Sequence, residues 1–182
     1  MRPHIDFIQA QFLPWQDGES FGLGTGRAKL LSADDETGAV SLVAKLFPGS
    51  DLRFGPLARD LEILVLDGAL EIGTTTFGPY AYAFLPAGHD PGRMVSSQGA
   101  TLLWFRGERH DDPELSALAA RRIVPRLDLT EGPWDGDFDR FNLGSMKDGA
   151  RMRVLRQDPL TGETTYVTAT IAFRRGRQAE RH

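Results

Sequence analysis

The sequence has no cysteine. Disulfides, thiolate metal sites and cysteine nucleophiles are therefore excluded, and the redox compartment stays open. No apolar run reaches the length of a membrane span, so no membrane partner is expected. The opening residues Met1-Arg2-Pro3-His4 lack the apolar core of a signal peptide, and a cytoplasmic location is the expectation. Charge of one sign is not in excess: 21 Lys+Arg stand against 25 Asp+Glu, a formal net charge of -4. That balance speaks against a general nucleic-acid binder.

What is present is an ordinary globular composition, 41% apolar and 25% charged over 182 residues. The length allows one good core, or one core and part of another. The 20 Gly and 11 Pro suit many short strands joined by turns rather than a helical protein.

The chain is organised around Leu61-Glu62-Ile63-Leu64-Val65-Leu66-Asp67-Gly68, an apolar run ending at a turn signal. Strand, Asp-Gly, strand predicts a hairpin there. A second run over 80–85 is closed by Pro86-Ala87-Gly88. Leu61, Ile63 and Val65 are expected to face the interior, with Leu64 and Leu66 against an outer layer, since both faces are apolar. Strands are also expected at 29–32, 39–47 and 101–105. Gly22-Leu23-Gly24-Thr25-Gly26-Arg27-Ala28-Lys29 looks like a phosphate loop but leads into a strand instead of a helix, and reads as a plain turn. Asp112-Pro113-Glu114 is a helix start, predicting one helix over 114–123 that Pro125 stops.

The chain then repeats itself. Thr37-Gly38 matches Thr161-Gly162, and at the same offset of 124 Leu31 meets Leu155 and Asp34 meets Asp158. Leu13-Pro14-Trp15 resembles Gly132-Pro133-Trp134. Self-similarity at a fixed offset implies two copies of one unit. The expected organisation is a complete barrel over 1–110, a helical linker over 111–126 and a partial second repeat over 127–182. An incomplete repeat needs cover for its apolar strands, either from the first barrel or from a second copy of the chain in a homodimer.

Residues 61–68 followed by Pro86-Ala87-Gly88 resemble the two motifs of the cupin superfamily. Asp158-Pro159-Leu160-Thr161-Gly162-Glu163 resembles its ChrR-type and two-barrel relatives. The resemblance implies an all-β fold: an antiparallel jelly-roll (double-stranded β-helix) barrel with one short helix and the opening strands of a second barrel. It also implies a divalent metal, held by two His and a Glu of the first motif and a His of the second. Here those positions fall on Gly55, Leu57, Leu61 and Pro91, and none is a ligand. The motifs are degenerate, and no metal cofactor is expected.

Ligand-binding candidates follow from motif position. Leu57, Leu61, Tyr82, Phe84 and Trp104 would line the interior or fill it. Arg53 and Arg93 would flank the mouth; a solvated rim is the preferred reading, and contact with a carboxylate is the other. His89 reads as an exposed loop histidine; the alternative is that, with Asp90, it forms a displaced metal site. His110 reads as a solvated residue, and His4 has no partner in sequence. Three readings follow: a metal-free cupin module that binds a small molecule or serves regulation or assembly; a metal-dependent dioxygenase or hydrolase with its site near His89 or in a further barrel, for which Tyr82-Ala83-Phe84-Leu85-Pro86 resembles two-barrel aminohydrolases of ureidoglycine type; and a purely structural barrel. The first is preferred, with no catalytic residue assigned.

Overall fold

The computed structural model describes residues 9–109, 117–141 and 150–170. His4, His110, Pro113 and the basic tail 174–182 lie outside them. The chain divides into two compact units, Met1–Thr130 and Glu131–His182.

The first unit is two antiparallel sheets around one core. The larger sheet has the order β1-β2-β3-β10-β5-β8-β11. Its strands are β1 (Gln16–Asp17), β2 (Arg27–Ala33), β3 (Val40–Leu46), β5 (Arg59–Gly68), β8 (Ala81–Leu85), β10 (Ala100–Arg109) and β11 (Val124–Asp128). The smaller has the order β4-β9-β6-β7, from β4 (Ser50–Arg53), β6 (Leu70–Ile72), β7 (Thr75–Phe77) and β9 (Arg93–Ser96). This is the jelly-roll arrangement of the cupin fold, formed by two hydrogen-bonded sheets and not by one closed ring of strands.

β5 is the central strand. It pairs with β10 on one side and β8 on the other. Its alternate residues Leu61, Ile63 and Val65 are buried. They share one core with Leu102 and Trp104 of β10 and with Leu52, Leu70, Phe77 and Met94 of the smaller sheet. Interior burial of the 61/63/65 row is thus as the alternation requires. On the opposite face Leu64 is half-buried, but Leu66 is 36% exposed. The outer cover expected over both residues stops short of Leu66.

The Asp67-Gly68 signal does not make a hairpin. Gly68 has φ 76°, so the backbone does need glycine there. A side chain at Gly68 would also collide with the Gly99 carbonyl. Yet the strand that follows, β6, bonds to β7 and β9 in the other sheet. The glycine marks the crossing between sheets. The tight hairpin is one step later, where Ile72 pairs with Thr75 across Gly73-Thr74. Gly22 and Gly24, with φ 78° and 57°, form a turn that feeds β2, as expected of a plain turn.

The described helix, α1, is Ala119–Arg122. The start expected at Pro113 lies outside the described residues. Pro125 does not simply end a helix. It sits in β11, which pairs with β8 at the edge of the larger sheet, where a residue without an N–H is tolerated. Because β11 joins that sheet, the first unit runs past residue 110 to Thr130.

The second unit holds a two-stranded sheet, β12 (Ala150–Gln157) with β13 (Thr164–Thr170). Phe138, Ala150 and Met152 form its small apolar cluster.

Candidate functional site

One end of the first unit's core opens into a pocket of about 270 Å³. Strand alternation builds it. Leu61 is the first apolar residue of the inward row of β5, and Trp104 lies in the inward row of β10. Leu57, from the loop before β5, and Phe54, just after β4, add two more walls. The Phe54 and Trp104 rings are 6.3 Å apart and tilted by 33°. Phe21, Gly22 and Ala58 complete the apolar rim.

Two arginines, Arg59 and Arg106, are among the residues that line this apolar space. Each sits two residues from a core residue on its own strand, so each shares the inward face. Arg106 is directly opposite Leu61 in register. Arg59 Nη1 donates to the Thr37 carbonyl at 2.6 Å and to the Gly107 carbonyl at 3.4 Å. Arg106 Nε is buried and has no hydrogen-bond partner among the described residues. Burial, and then the neighbouring Arg59 charge, push Arg106 below the usual guanidinium range. Among the described residues no carboxylate lines the pocket, and none of the described lining residues is a nucleophile or a group that titrates near neutrality. The described lining residues can bind and orient a ligand.

The metal that the cupin resemblance implies does not fit these residues. Gly55, Leu57, Leu61 and Pro91 carry no N or O donor on their side chains. Among the described residues, no group of three or more His, Cys, Asp or Glu side chains converges on a common point. Leu57 and Leu61 face the pocket instead.

The sequence candidates separate into three places. Leu57, Leu61 and Trp104 meet in the pocket. Tyr82 and Phe84 do not. Their register partners are Leu64 and Glu62, so they lie on the face of the larger sheet away from Leu61 and Trp104. They are 2% and 0% exposed, covered on that face, and Phe84 carries the Arg122 guanidinium of α1 over its ring at 5.6 Å. Every residue of β8 is buried, so neither face of that strand stood out as interior from sequence. Arg53 and Arg93 also miss the pocket. Both project from the smaller sheet to meet Asp51, Arg93 at 2.8 Å and Arg53 at 3.5 Å. The Arg93 hydrogen bond holds the Asp51 carboxyl below its ordinary value. His89 belongs to the loop behind Leu57: its carbonyl accepts from the Leu57 N–H at 2.9 Å. Its imidazole is not among the groups lining the pocket. The pair that sequence reasoning missed is Arg59 and Arg106. The signal was available: a charged residue that continues an inward apolar row is out of place unless it has a task.

Below α1 lies a buried ion pair. Asp60 accepts from Arg122 at 2.7 Å and 3.2 Å, and from the Ala87 N–H at 2.7 Å. It ties helix, β5 and the turn after β8 together behind the pocket.

No family model and no curated protein matches the chain. Solved structures do. A candidate dioxygenase from Nostoc punctiforme PCC 73102 is 24% identical, with TM-score 0.68 over 90% of this chain and 60% of that one. A candidate glyoxylate induced protein from Pseudomonas aeruginosa is 13% identical, with TM-score 0.53 over 88% of this chain and 54% of that one. A candidate acetylacetone dioxygenase from Methylibium petroleiphilum PM1 is 15% identical, with TM-score 0.50 over 58% of this chain and 78% of that one. The chain spans 60% of the length of the first and 54% of the second. No described helix is long and apolar enough to cross a membrane. What these likenesses share with the chain is the cupin jelly-roll fold.

Proposed function

We propose that the first unit is a cupin module that works without a metal and binds a small molecule in the pocket at the end of its core. One observation carries this reading: two of the positions at which the family would place metal ligands, Leu57 and Leu61, are apolar and form pocket wall. A pre-formed, mostly apolar cavity with a few convergent polar groups is the usual form of a small-molecule site. Among the described residues the second unit's hairpin has little apolar cover, and pairing with a second copy of the chain belongs to the same reading; light scattering at micromolar concentration checks it.

A metal-dependent enzyme is the second reading. In its favour, two of the similar solved structures carry the name dioxygenase. Its site in this chain would be His89 with Asp90.

Metal content decides between the readings. Protein purified without chelator and dialysed against iron, manganese, nickel or zinc is expected to hold far less than one equivalent, with no change on His89→Ala. One equivalent that disappears on His89→Ala would instead establish the displaced metal site.

A further inference from the structure

Resting on the reading of this pocket as a ligand site, we propose that its ligand is a small organic carboxylate on an apolar body, anchored by the Arg106 guanidinium.

The inward face of β10 reads Ala100, Leu102, Trp104, Arg106. Three buried core residues are followed by a cation. Arg106 as a whole is half-buried, but its Nε is taken out of water, and a buried N–H donor of a charged group needs an acceptor. Elsewhere this chain supplies one. Arg122 has Asp60, Arg156 has Asp158 at 3.3 Å, and Arg153 has the Glu131 carbonyl. Arg106 Nε is buried without an acceptor among the described residues. Buried polar groups left unmet in this way are uncommon and call for an explanation, of which a bound acceptor is one.

The surroundings specify the missing acceptor. Arg59 brings a second positive charge and already spends Nη1 on two carbonyl groups. No carboxylate among the lining residues answers either cation. An anion entering the pocket would satisfy the Arg106 donors and relieve the repulsion between the two guanidiniums. The guanidinium fork matches a planar carboxylate. Phosphate needs several donors at once, and beyond the two arginines the pocket offers mainly Phe54, Leu57, Leu61 and Trp104. Those walls call for an apolar body attached to the carboxylate.

The test is isothermal titration of the full chain with phenylacetate and with its uncharged counterpart phenylacetamide. Phenylacetate is expected to bind about tenfold tighter or more, the ratio that a charged hydrogen bond provides over a neutral one. Arg106→Met should erase that preference. Arg106→Lys should restore part of it, because the charge returns without the fork. Arg93→Met, which removes an equal charge outside the pocket, should leave it unchanged. Phenyl phosphate is expected to bind more weakly than phenylacetate, and the reverse order would overturn the choice of carboxylate. Equal affinity for acid and amide in the wild type would overturn the anion assignment and leave the pocket reading intact. A preference that survives Arg106→Met would overturn Arg106 as the anchor. Binding of neither compound up to about 10 mM would overturn the pocket reading itself. If Arg106→Met fails to fold, the wild-type ratio and the Arg106→Lys ratio still decide.

Discussion

The β2–β3 hairpin of the first unit and the β12–β13 hairpin of the second stand 124 residues apart and are built alike. Ala28 pairs with Ala44 as Met152 pairs with Thr168; Leu30 pairs with Leu42 as Val154 pairs with Tyr166. The register slips at the same place in each, between Leu30 and Ser32 and between Val154 and Arg156. The turns are equivalent too. Asp34 Oδ1 accepts from the amides of Glu36 and Thr37, and its carbonyl from Gly38 at 2.7 Å. Asp158 Oδ1 accepts from Leu160 and Thr161, and its carbonyl from Gly162 at 3.0 Å. What differs is the company. β3 is hydrogen-bonded on its far side to β10, and Leu42 is 0% exposed. At the equivalent position Tyr166 is 39% exposed, and β13 pairs only with β12 among the described residues. Local sequence sets the hairpin; burial of its faces comes from strands far away in the chain.

The largest effect expected from that difference lies in a feature that ties distant strands of the first unit together. Asp60→Ala leaves the buried Arg122 charge without its carboxylate and the Ala87 amide without its acceptor. Breaking a buried pair from one side costs about 3–5 kcal/mol. Replacing both partners with apolar residues of similar size should cost less than either single change. Urea midpoints of the two single variants and the double variant check this. A double variant as unstable as the sum of the singles would mean that the pair was not coupled.

Next comes the matched pair of side chains. Leu42→Ala should cost about 2–5 kcal/mol, because the site is fully enclosed. Tyr166→Ala should fall within about 0.5 kcal/mol of wild type, as an exposed substitution does. Equal losses would mean that the second hairpin has cover equal to that of the first.

This comparison also shows why some of the structure could be read from sequence and some not. The turn at Asp34 and its copy at Asp158 were legible because an Asp side chain reaching its own downstream amides is a local event. The central strand was legible because Ile63 to Leu66 are apolar in succession and Leu61, Ile63 and Val65 continue one face, which is the pattern of a core strand. The Asp67-Gly68 signal was right about the backbone of Gly68 and wrong about the partner, since local sequence cannot say in which sheet the next strand lies. The site suffered in the same way. Motif spacing singles out Leu57 and Leu61, and both are among the residues that line the pocket. Tyr82 and Phe84 were put there as well, because a strand buried on both faces does not reveal which face is inside. Motif position brings Arg53 and Arg93 to the rim, where they are exposed and meet Asp51; Arg106 comes beside Leu61 only through the pairing register of β5 and β10, a long-range fact.

The smallest expected effect is also the most selective. Gly38 and Gly162 occupy equivalent turn positions, with φ 69° and 74°. Gly38→Ala and Gly162→Ala each force a side chain into the left-handed region, at about 1–2 kcal/mol. That part should be shared, and hydrogen exchange of the turn amides should speed up similarly in both hairpins. The space around the two glycines is not shared. A Cβ at Gly162 meets nothing within 4 Å, whereas one at Gly38 would sit 2.8 Å from Arg59 Nη2. The guanidinium would have to move, and with it the hydrogen bond from Arg59 Nη1 to the Thr37 carbonyl. Arg59 lines the pocket, so Gly38→Ala should also change the affinity for phenylacetate, by a few-fold at most, while Gly162→Ala leaves it unchanged. If both variants alter binding equally, or neither does, the position of the Arg59 guanidinium has no bearing on what the pocket holds, and the anion is met by Arg106 alone.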